Sequence, residues 1–322
     1  MAIARDAVER FGDRMAALAL VRPKRPEPLP VRVGRKRIYV LPTAFGLFVA
    51  LLLGTMLLGG LNYNNNPALM FAFLLVAVAN NSLVHAHLIL SGVQLKALHA
   101  DPVFAGQPLR MRLRFEGEGA RARPGLEVLA AGVHCVFSLP ANEEHEVVLE
   151  IPTHRRGWLD PGRLRLSTVR PLGLARAWSW MRPETRLLVY PALDPEAPPL
   201  PEALGDGDSP RTRAHGEQPH HLREYRAGDM PRQIAWKASA RADRLLVREY
   251  EAAVARDVDL DWDATRSLPH EARIRRLARW VIEAERSGSR YSLRVPGQAI
   301  GAGQGPEHRH ACLRTLALLP DA

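Results

Sequence analysis

A stretch of 58 residues without a charged side chain, residues 38–95, limits most strongly what this chain can fold into. Two apolar runs within it are separated by a short polar sequence at residues 62–66. A helix needs about 20 consecutive apolar residues to cross the hydrocarbon core of a bilayer. The first run, residues 38–61, meets that length without interruption. We therefore predict a two-helix transmembrane hairpin over residues 38–90, with spans 38–61 and 67–90.

The second run satisfies the length criterion only if its helix continues through Asn80, Asn81 and His85. Asn81 and His85 are four residues apart, so they share a helical face that we expect against the first span or at the membrane interface. A re-entrant or interfacial segment is the alternative for this run. In the first span, Gly46, Ala50 and Gly54 recur every four residues and predict close approach of another helix.

The net charge of +10 is unevenly distributed and indicates an orientation. Residues 1–37 hold 10 Lys or Arg and 4 acids, whereas residues 96–322 hold 34 basic and 30 acidic residues. Basic residues concentrate on the cytoplasmic side of spans, so both termini are expected in the cytoplasm. The surplus of +4 over the last 227 residues argues against a nucleic-acid partner. The chain has two distant cysteines, Cys135 and Cys312, which argues against a disulfide scaffold and against a cysteine-based zinc site.

After the hairpin the sequence pattern changes twice. Residues 109–116 alternate between apolar and charged side chains, which predicts β structure, and we expect an all-β sandwich-like module over residues 91–193. Residues 194–221 are rich in proline and predict a linker or loop. Residues 222–322 predict a truncated α/β domain with strands near 258–263 and 291–295 and helices over 271–287 and 306–319. The predicted fold class is a multidomain α+β protein.

Several longer motifs carry a family resemblance. His154-Arg155-Arg156-Gly157-Trp158 is followed by Pro171-Leu172-Gly173-Leu174 and Val189-Tyr190-Pro191. A longer segment then runs through Leu222-Arg223-Glu224-Tyr225-Arg226-Ala227-Gly228-Asp229, Pro231-Arg232-Gln233-Ile234-Ala235-Trp236-Lys237-Ala238-Ser239-Ala240-Arg241 and Leu245-Leu246-Val247-Arg248-Glu249-Tyr250-Glu251. Together these motifs resemble the bacterial domain-of-unknown-function 58 family, from about Arg35 to the end of the chain.

The resemblance implies an architecture and partners but no reaction. It implies a bacterial inner-membrane protein with a β-rich module and a von Willebrand factor A-like C-terminal domain. Family members are commonly encoded beside a MoxR-type AAA+ ATPase and often beside a transglutaminase-like membrane protein. We therefore expect a non-enzymatic, membrane-anchored adaptor or scaffold that engages the ATPase and, in a further association, the transglutaminase-like protein.

The residues of the longer segment mix both signs of charge around a tryptophan, and this allows two interpretations. In the first, they form an ion-paired junction between domains, with a turn at Gly228-Asp229 and Trp236 as a buried anchor. In the second, they form a docking surface, because Arg and Trp are frequent in interaction hot spots. The candidate interaction or interdomain residues are Arg223, Tyr225, Arg226, Gly228, Asp229, Arg232, Trp236, Lys237, Ser239, Arg241, Arg248 and Glu249.

The resemblance also implies a candidate metal site, at the end of the first predicted strand of the α/β domain. Full von Willebrand A domains hold a divalent cation with Asp-x-Ser-x-Ser plus a distant Thr and Asp, and oxygen ligands suit Mg²⁺. Here the corresponding residues are Asp261, Asp263 and Thr265, and only Thr315 and Asp321 remain to complete the set. We interpret this as a degenerate site and expect no cofactor. If the site does hold a metal ion, Mg²⁺ is the candidate. A metal-dependent ligand-binding protein is accordingly an alternative function.

A membrane-bound hydrolase is the other alternative. Ser239 with Lys237 or a nearby histidine offers a nucleophile and a base. However, the sequence lacks the Gly-x-Ser-x-Gly turn and the His-Glu-x-x-His zinc motif. The sequence therefore favours a protein that is not an enzyme.

Overall fold

Two long apolar helices, α1 (Ala44–Asn62) and α2 (Asn66–Leu90), occupy the region where the sequence predicts a hairpin. The computed structural model describes residues 25–201, 218–225, 234–242, 244–251 and 257–321. Each helix has a side-chain cap at its N-terminus. The Thr43 hydroxyl accepts a hydrogen bond from the Gly46 N–H at 3.0 Å, and the Asn65 side chain accepts one from the Ala68 N–H at 3.1 Å. Both helices are long and apolar enough to cross a membrane.

The chain divides into two compact units, Met1–Tyr190 and Pro191–Ala322. Besides the two helices, the first unit contains twelve described strands. They are β1 (Val31–Arg32), β2 (Tyr39–Pro42), β3 (Val93–Ala100), β4 (Val103–Phe104), β5 (Leu109–Gly117), β6 (Arg123–Ala130), β7 (Val133–Leu139), β8 (Glu144–Ile151), β9 (Gly157–Leu159), β10 (Leu164–Thr168), β11 (Ala175–Met181) and β12 (Leu187–Tyr190).

Most of these strands form two antiparallel sheets around one hydrophobic core. The sheet orders are β1-β3-β5-β8 and β2-β11-β10-β6-β7, and a third small sheet has the order β4-β12-β9. In β5 the predicted alternation holds, because Leu109, Met111, Leu113 and Phe115 are fully buried while the intervening arginines are exposed. Phe115 stacks on Phe137 of β7, with ring centroids 5.1 Å apart. The prediction of β structure after the helical pair is therefore confirmed, and the two main sheets are antiparallel.

Both sheets include strands that precede the helices, which the sequence prediction missed. In β1, Val31 pairs with Leu95 of β3, and in β2, Val40 pairs with Ala177 of β11. Residues 1–37 were predicted as a separate basic segment and Ile38 as the start of the first span. Instead, α1 begins six residues later, at Ala44, because Tyr39–Pro42 is a sheet strand. The chain thus leaves the sheets at Pro42, forms both helices and returns at Val93.

The end of α2 is part of the same core. Ala86, Ile89 and Leu90 are buried within the cluster formed by the two sheets. Asn81 and His85, by contrast, are exposed, so the face that they share does not pack on α1. Their predicted place at a membrane interface stays a prediction.

The small residues of α1 make contacts other than those predicted. A Cβ at Gly46 would lie 1.8 Å from the carbonyl oxygen of Leu174, whereas one at Gly54 would have nothing within 4 Å. The helices α1 and α2 approach each other closely at Gly60, where a Cβ would lie 2.9 Å from the Leu69 side chain of α2. The predicted helix-packing face at Gly46 is therefore wrong, since the close neighbour there is the backbone of a loop.

The second unit contains a strand pair and a small α/β region. Its elements are β13 (Gln218–Glu224), α3 (Trp236–Ala242), β14 (Leu246–Glu251), β15 (Val258–Asp261), α4 (His270–Arg286), β16 (Tyr291–Val295), β17 (Gln298–Gly303) and α5 (Pro306–Leu318). Strands β15 and β16 are parallel, as the predicted strand–helix–strand order requires. The sequence prediction missed β17, which pairs antiparallel with β16. Helix α4 buries one face, including Ile274, Leu277 and Val281.

The beginning of the predicted linker packs on α4. Arg276 Nε lies 2.6 Å from an Asp194 carboxylate oxygen, and Trp280 Nε1 donates to the Pro198 carbonyl at 3.0 Å. Burial raises the pKa of Asp194, but hydrogen bonds from Arg276 and from the backbone N–H of Glu196 outweigh it, so the pKa lies below its ordinary value. Residues 202–217 of the predicted linker lie outside the described residues.

Candidate functional site

The longer segment of mixed charge, residues 222–251, is called the charged motif below. Its described part lies in the strand pair β13–β14 and in helix α3. Arg223 of β13 pairs with Val247, while Leu222 pairs with Arg248 and His221 with Glu249. Lys237 lies in α3. The remaining motif residues Arg226, Gly228, Asp229 and Arg232 lie outside the described residues. The predicted turn at Gly228-Asp229 and the ion-paired junction therefore stay predictions.

Ser239 joins α3 to the beginning of β14. Its Oγ accepts a hydrogen bond from the Leu246 N–H at 2.9 Å, and only 7% of the residue is exposed. Beside it, the Ala235 N–H donates to the Leu246 carbonyl at 2.8 Å. A nucleophilic serine needs a free oxygen and an adjacent base. The geometry instead gives Ser239 a structural role within the motif.

Trp236 is the first residue of α3 and is 63% exposed, although Ser239, one turn later, is buried. The prediction of a buried anchor is therefore wrong. Ser239 is buried, as is Ala235 just before the helix, whereas Trp236, Ala240 and Arg241 are exposed. A large aromatic side chain gains nothing from exposure to water, so an exposed tryptophan inside a specific motif favours the docking interpretation.

Other exposed side chains of the motif lie at the open end of the strand pair. Tyr225 follows β13 directly and is 37% exposed, and its N–H donates to the Leu245 carbonyl at 2.9 Å. Arg244 Nη1 donates to Glu224 Oε1 at 2.6 Å. We call Tyr225, Trp236 and Arg241, together with the Arg244–Glu224 ion pair, the motif surface. It combines aromatic area with charges of both signs.

Asp261 and Asp263, the two acids predicted as metal ligands, lie where β15 ends. Each of them forms an ion pair with an arginine. Arg294 of β16 lies 3.3 Å from an Asp261 oxygen and 3.5 Å from an Asp259 oxygen. Arg266 lies 2.7 Å from an Asp263 oxygen. The hydrogen bond from Arg266 is the main reason why the pKa of Asp263 lies below its ordinary value.

Thr265 does not offer its hydroxyl oxygen to this acidic end. Its Oγ1 donates to the Trp262 carbonyl at 2.8 Å, and the residue is buried. Among the described residues, no group of three or more His, Cys, Asp or Glu side chains is arranged to hold a metal ion. Two guanidinium groups supply positive charge where a cation would need carboxylates, so the donor set does not fit Mg²⁺. Asp261 also accepts the Asp263 N–H, which fits the cap of a turn.

The motif surface and the acidic strand end fall within a single family match. Residues 221–319 match the family described as "Protein of unknown function DUF58". The chain carries a DUF58 domain. This match supports the predicted resemblance within the second unit only, whereas the prediction extended it back to about Arg35. No curated protein and no solved structure matches the chain.

The DUF58 domain also contains a buried polar cluster that sequence reasoning missed. Tyr291 Oη donates to Glu285 Oε2 at 3.0 Å, and the Gly305 N–H donates to the same oxygen at 3.2 Å. His308 Nε2 lies 2.8 Å from the Tyr291 carbonyl oxygen and 3.7 Å from Cys312 Sγ. The i, i+4 spacing of His308 and Cys312 on α5 was the only sequence signal for it.

This cluster is arranged for stability and not for nucleophilic attack. A carbonyl oxygen can only accept, so His308 Nε2 carries a proton and cannot take one from the thiol. Burial, with the nearby charge of Glu285, raises the pKa of Cys312 to about 12. Burial is also the main cause of the raised pKa of Tyr291. Both groups therefore stay protonated, and the cluster links α5 to β16 and to the end of α4.

Proposed function

We propose that this protein is a two-pass membrane protein that displays its DUF58 domain to a protein partner in the cytoplasm. The exposed Trp236 within the motif surface is the observation that carries the docking part of this proposal. The family resemblance suggests the partner, a MoxR-type AAA+ ATPase, with a transglutaminase-like membrane protein as a further associate. In this role the chain is an adaptor and not an enzyme.

The exposure of α1 and α2 supports insertion into a membrane. In the most apolar 18-residue window of each helix, only 17% and 11% of residues are buried, whereas the core helix of a soluble protein is mostly buried. Side chains such as Phe48, Leu51, Met70 and Phe73 are more than half exposed. Soluble monomers rarely display apolar surface on this scale, and lipid is the environment that suits it.

The sheet pairing supports an even number of crossings. Strand β1 precedes both helices and pairs with β3, which follows both. The chain before the helices and the chain after them therefore lie on the same side of any bilayer that the helices cross. The seven Lys and Arg residues between Arg22 and Arg37 favour the cytoplasm for that side, and the inner membrane for the protein.

The fold of the DUF58 domain is proposed to be a reduced von Willebrand factor A-like α/β fold. Parallel strands β15 and β16, joined through α4, support this interpretation, since such crossovers build that class of sheet. The antiparallel β17 next to β16 is a departure from a purely parallel order. The arginine-paired acids at the β15 end argue against the metal-dependent alternative, and the hydrogen-bonded Ser239 argues against the hydrolase.

Capture of a purified MoxR-type ATPase by the full chain, solubilised in detergent and with ATP present, tests the proposal. Trp236→Ala is expected to weaken capture by about 30-fold, because a hot-spot tryptophan contributes about 2 kcal/mol or more. Trp158→Ala is the matched control, since Trp158 is 46% exposed but lies in the first unit.

Both variants should unfold at the wild-type temperature, because neither side chain is buried. Equal capture by the two variants would remove the role of Trp236. Failure of the wild type to capture the ATPase would overturn the proposed partner.

A further inference from the structure

A basic pocket lies in the first unit where α2 ends and the sheets begin. Its volume is about 850 Å³. It is lined by the segment before β2, the end of α2 and the β5–β6 connection: Arg32, Val33, Gly34, Arg35, Leu88, Ser91, Gly92, Glu118, Gly119, Ala120, Arg121 and Arg123. Four of these residues are arginines and one is an acid. None of them belongs to the motif surface or to the acidic strand end.

Arg123 is the most constrained of the four arginines. Only 3% of the residue is exposed, and its Nη2 donates to the carbonyl oxygens of Ser91 at 3.0 Å and Glu118 at 2.8 Å. Its Nε and Nη1 are buried without a hydrogen-bond partner among the described residues. A Cβ at Gly117 would lie 1.8 Å from Nη1, so any other residue there would displace the guanidinium from this position.

No carboxylate forms an ion pair with Arg123 in the described part of the chain, although the charge of Glu118 partly opposes the lowering of its pKa. The one acid that lines the pocket, Glu118, forms an ion pair with Arg32. Burial, and then the charge of Arg121, lower the pKa of Arg123. A buried charge without a paired counter-charge is costly in a protein. An anion in the pocket would reduce that cost.

Arg35 and Arg121 provide the accessible positive charge. Both are exposed, and no ion pair joins either to an acid in the part of the chain that the structure describes. With four arginines and one glutamate, the lining carries a net charge of three positive units. Guanidinium groups bind phosphate through paired N–H donors, which makes phosphate the anion that this lining suits best.

The position of the pocket along α2 also bears on its ligand. At 1.5 Å per residue, Leu88 lies about 33 Å and Ser91 about 38 Å from the beginning of α2 at Asn66. The hydrocarbon core is about 30 Å thick, and a polar headgroup layer of about 5–8 Å follows on each side. A helix that begins at the far boundary of the core therefore brings the pocket into the headgroup layer.

We propose that this pocket binds a phosphate-bearing anion, supplied by the headgroup of an anionic phospholipid or by a free phosphate. The lipid source rests on the proposed membrane insertion, and the depth of Leu88–Ser91 favours it. The pocket would then hold one lipid against the sheets at the end of α2.

Lipid retention by the full chain tests this proposal. The protein is reconstituted in phosphatidylglycerol or phosphatidylcholine vesicles, extracted in neutral detergent, and its bound lipid is counted by native mass spectrometry. The double variant Arg35→Gln, Arg121→Gln is compared with Arg110→Gln, Arg112→Gln, which removes the same charge from exposed positions on β5. The wild type and the β5 variant should retain phosphatidylglycerol in preference to phosphatidylcholine. The pocket variant should bind it at least about tenfold more weakly, because each charge-assisted bond contributes about 1.5 kcal/mol or more.

A second arm distinguishes the two sources of phosphate. Inorganic phosphate is added to detergent-solubilised protein, and the unfolding temperature is measured. A rise for the wild type that the pocket variant lacks would support a free phosphate, whereas lipid retention without such a rise would support the headgroup. Equal retention and equal unfolding temperatures for the pocket and β5 variants would overturn the proposal.

Vesicle flotation separates this result from failure of the proposed function. If the wild type fails to float with vesicles, membrane insertion is wrong, and the phosphate arm alone decides whether the pocket binds an anion. If all variants float but none differs in retention or phosphate response, only the pocket proposal is overturned.

Discussion

The contact between α1 and the loop before β11 can be tested with a single added methyl group. Gly46 approaches Leu174 so closely that a Cβ would lie 1.8 Å from its carbonyl oxygen. Carbon and oxygen atoms in contact are about 3.3 Å apart, so in Gly46→Ala the helix or the loop must move by about 1.5 Å. That movement would stretch two hydrogen bonds, from the Thr43 N–H to the Leu174 carbonyl at 2.9 Å and from Thr43 Oγ1 to the Gly173 carbonyl at 2.6 Å.

The size of the effect follows from these contacts. Overpacking costs about 1–3 kcal/mol, and each lost hydrogen bond costs about 1 kcal/mol. Alanine recovers about 1 kcal/mol because it is a better helix former than glycine. The free energy of unfolding of the first unit should therefore fall by about 3 kcal/mol. For a unit of this size, the melting temperature should fall by about 9 °C.

Gly54→Ala is the matched control, since it makes the same substitution in the same helix. A Cβ at Gly54 has no neighbour within 4 Å, so the variant should be as stable as the wild type or about 1 kcal/mol more stable. Thermal unfolding of the full chain in detergent, followed by tryptophan fluorescence, measures the difference. Equal melting temperatures for the two variants would refute the claim that the Leu174 backbone constrains Gly46.

Two further predictions concern the second unit. Because burial raises the pKa of Cys312 to about 12, iodoacetamide at pH 8 should label Cys135 in the folded chain and Cys312 only after unfolding; rapid labelling of Cys312 in the native protein would contradict this. The pKa of Asp194 is lowered in the fold from 3.8, so its ionised form stabilises the fold above about pH 4 and that stability is lost as the pH falls further. Asp194→Asn should reduce the acid dependence of unfolding, and an unchanged pH profile would show that the contact with Arg276 has no effect.

The helices were predictable from sequence because their signals are local and long. An uncharged stretch marks α1 and α2, and an apolar stripe marks α4. Strands β1 and β2 have two and four residues and lie in or beside a basic segment, so neither offers a periodic pattern. Strand β17 contains Gly301 and Gly303 and lacks the β-branched pattern of a strand. Long-range pairing forms β1 and β2, whereas β17 forms a hairpin with β16, which directly precedes it.

The side-chain environment of the candidate site was harder to predict than its residues. Asp261 and Arg294 are 33 residues apart, and they meet because β15 and β16 pair in parallel with these two residues in register. The sequence offered the acids as ligands and could not show that arginines pair with them. The exposure of Trp236 was similarly beyond the sequence, because it depends on how the short helix α3 packs on β14, where Ser239 accepts a hydrogen bond from Leu246.

The way α2 ends determines what kind of anchor the two helices provide. The helix is continuous from Asn66 to Leu90, and its last turn enters the core through Ala86, Ile89 and Leu90. Because protein interiors are close-packed, this end cannot tilt without moving the sheets around it. The beginning of α1 is held against the loop before β11 through Thr43 and Gly46. Both helices therefore join the sheets through packed contacts, so a bilayer around them would fix the orientation of the first unit relative to the membrane surface.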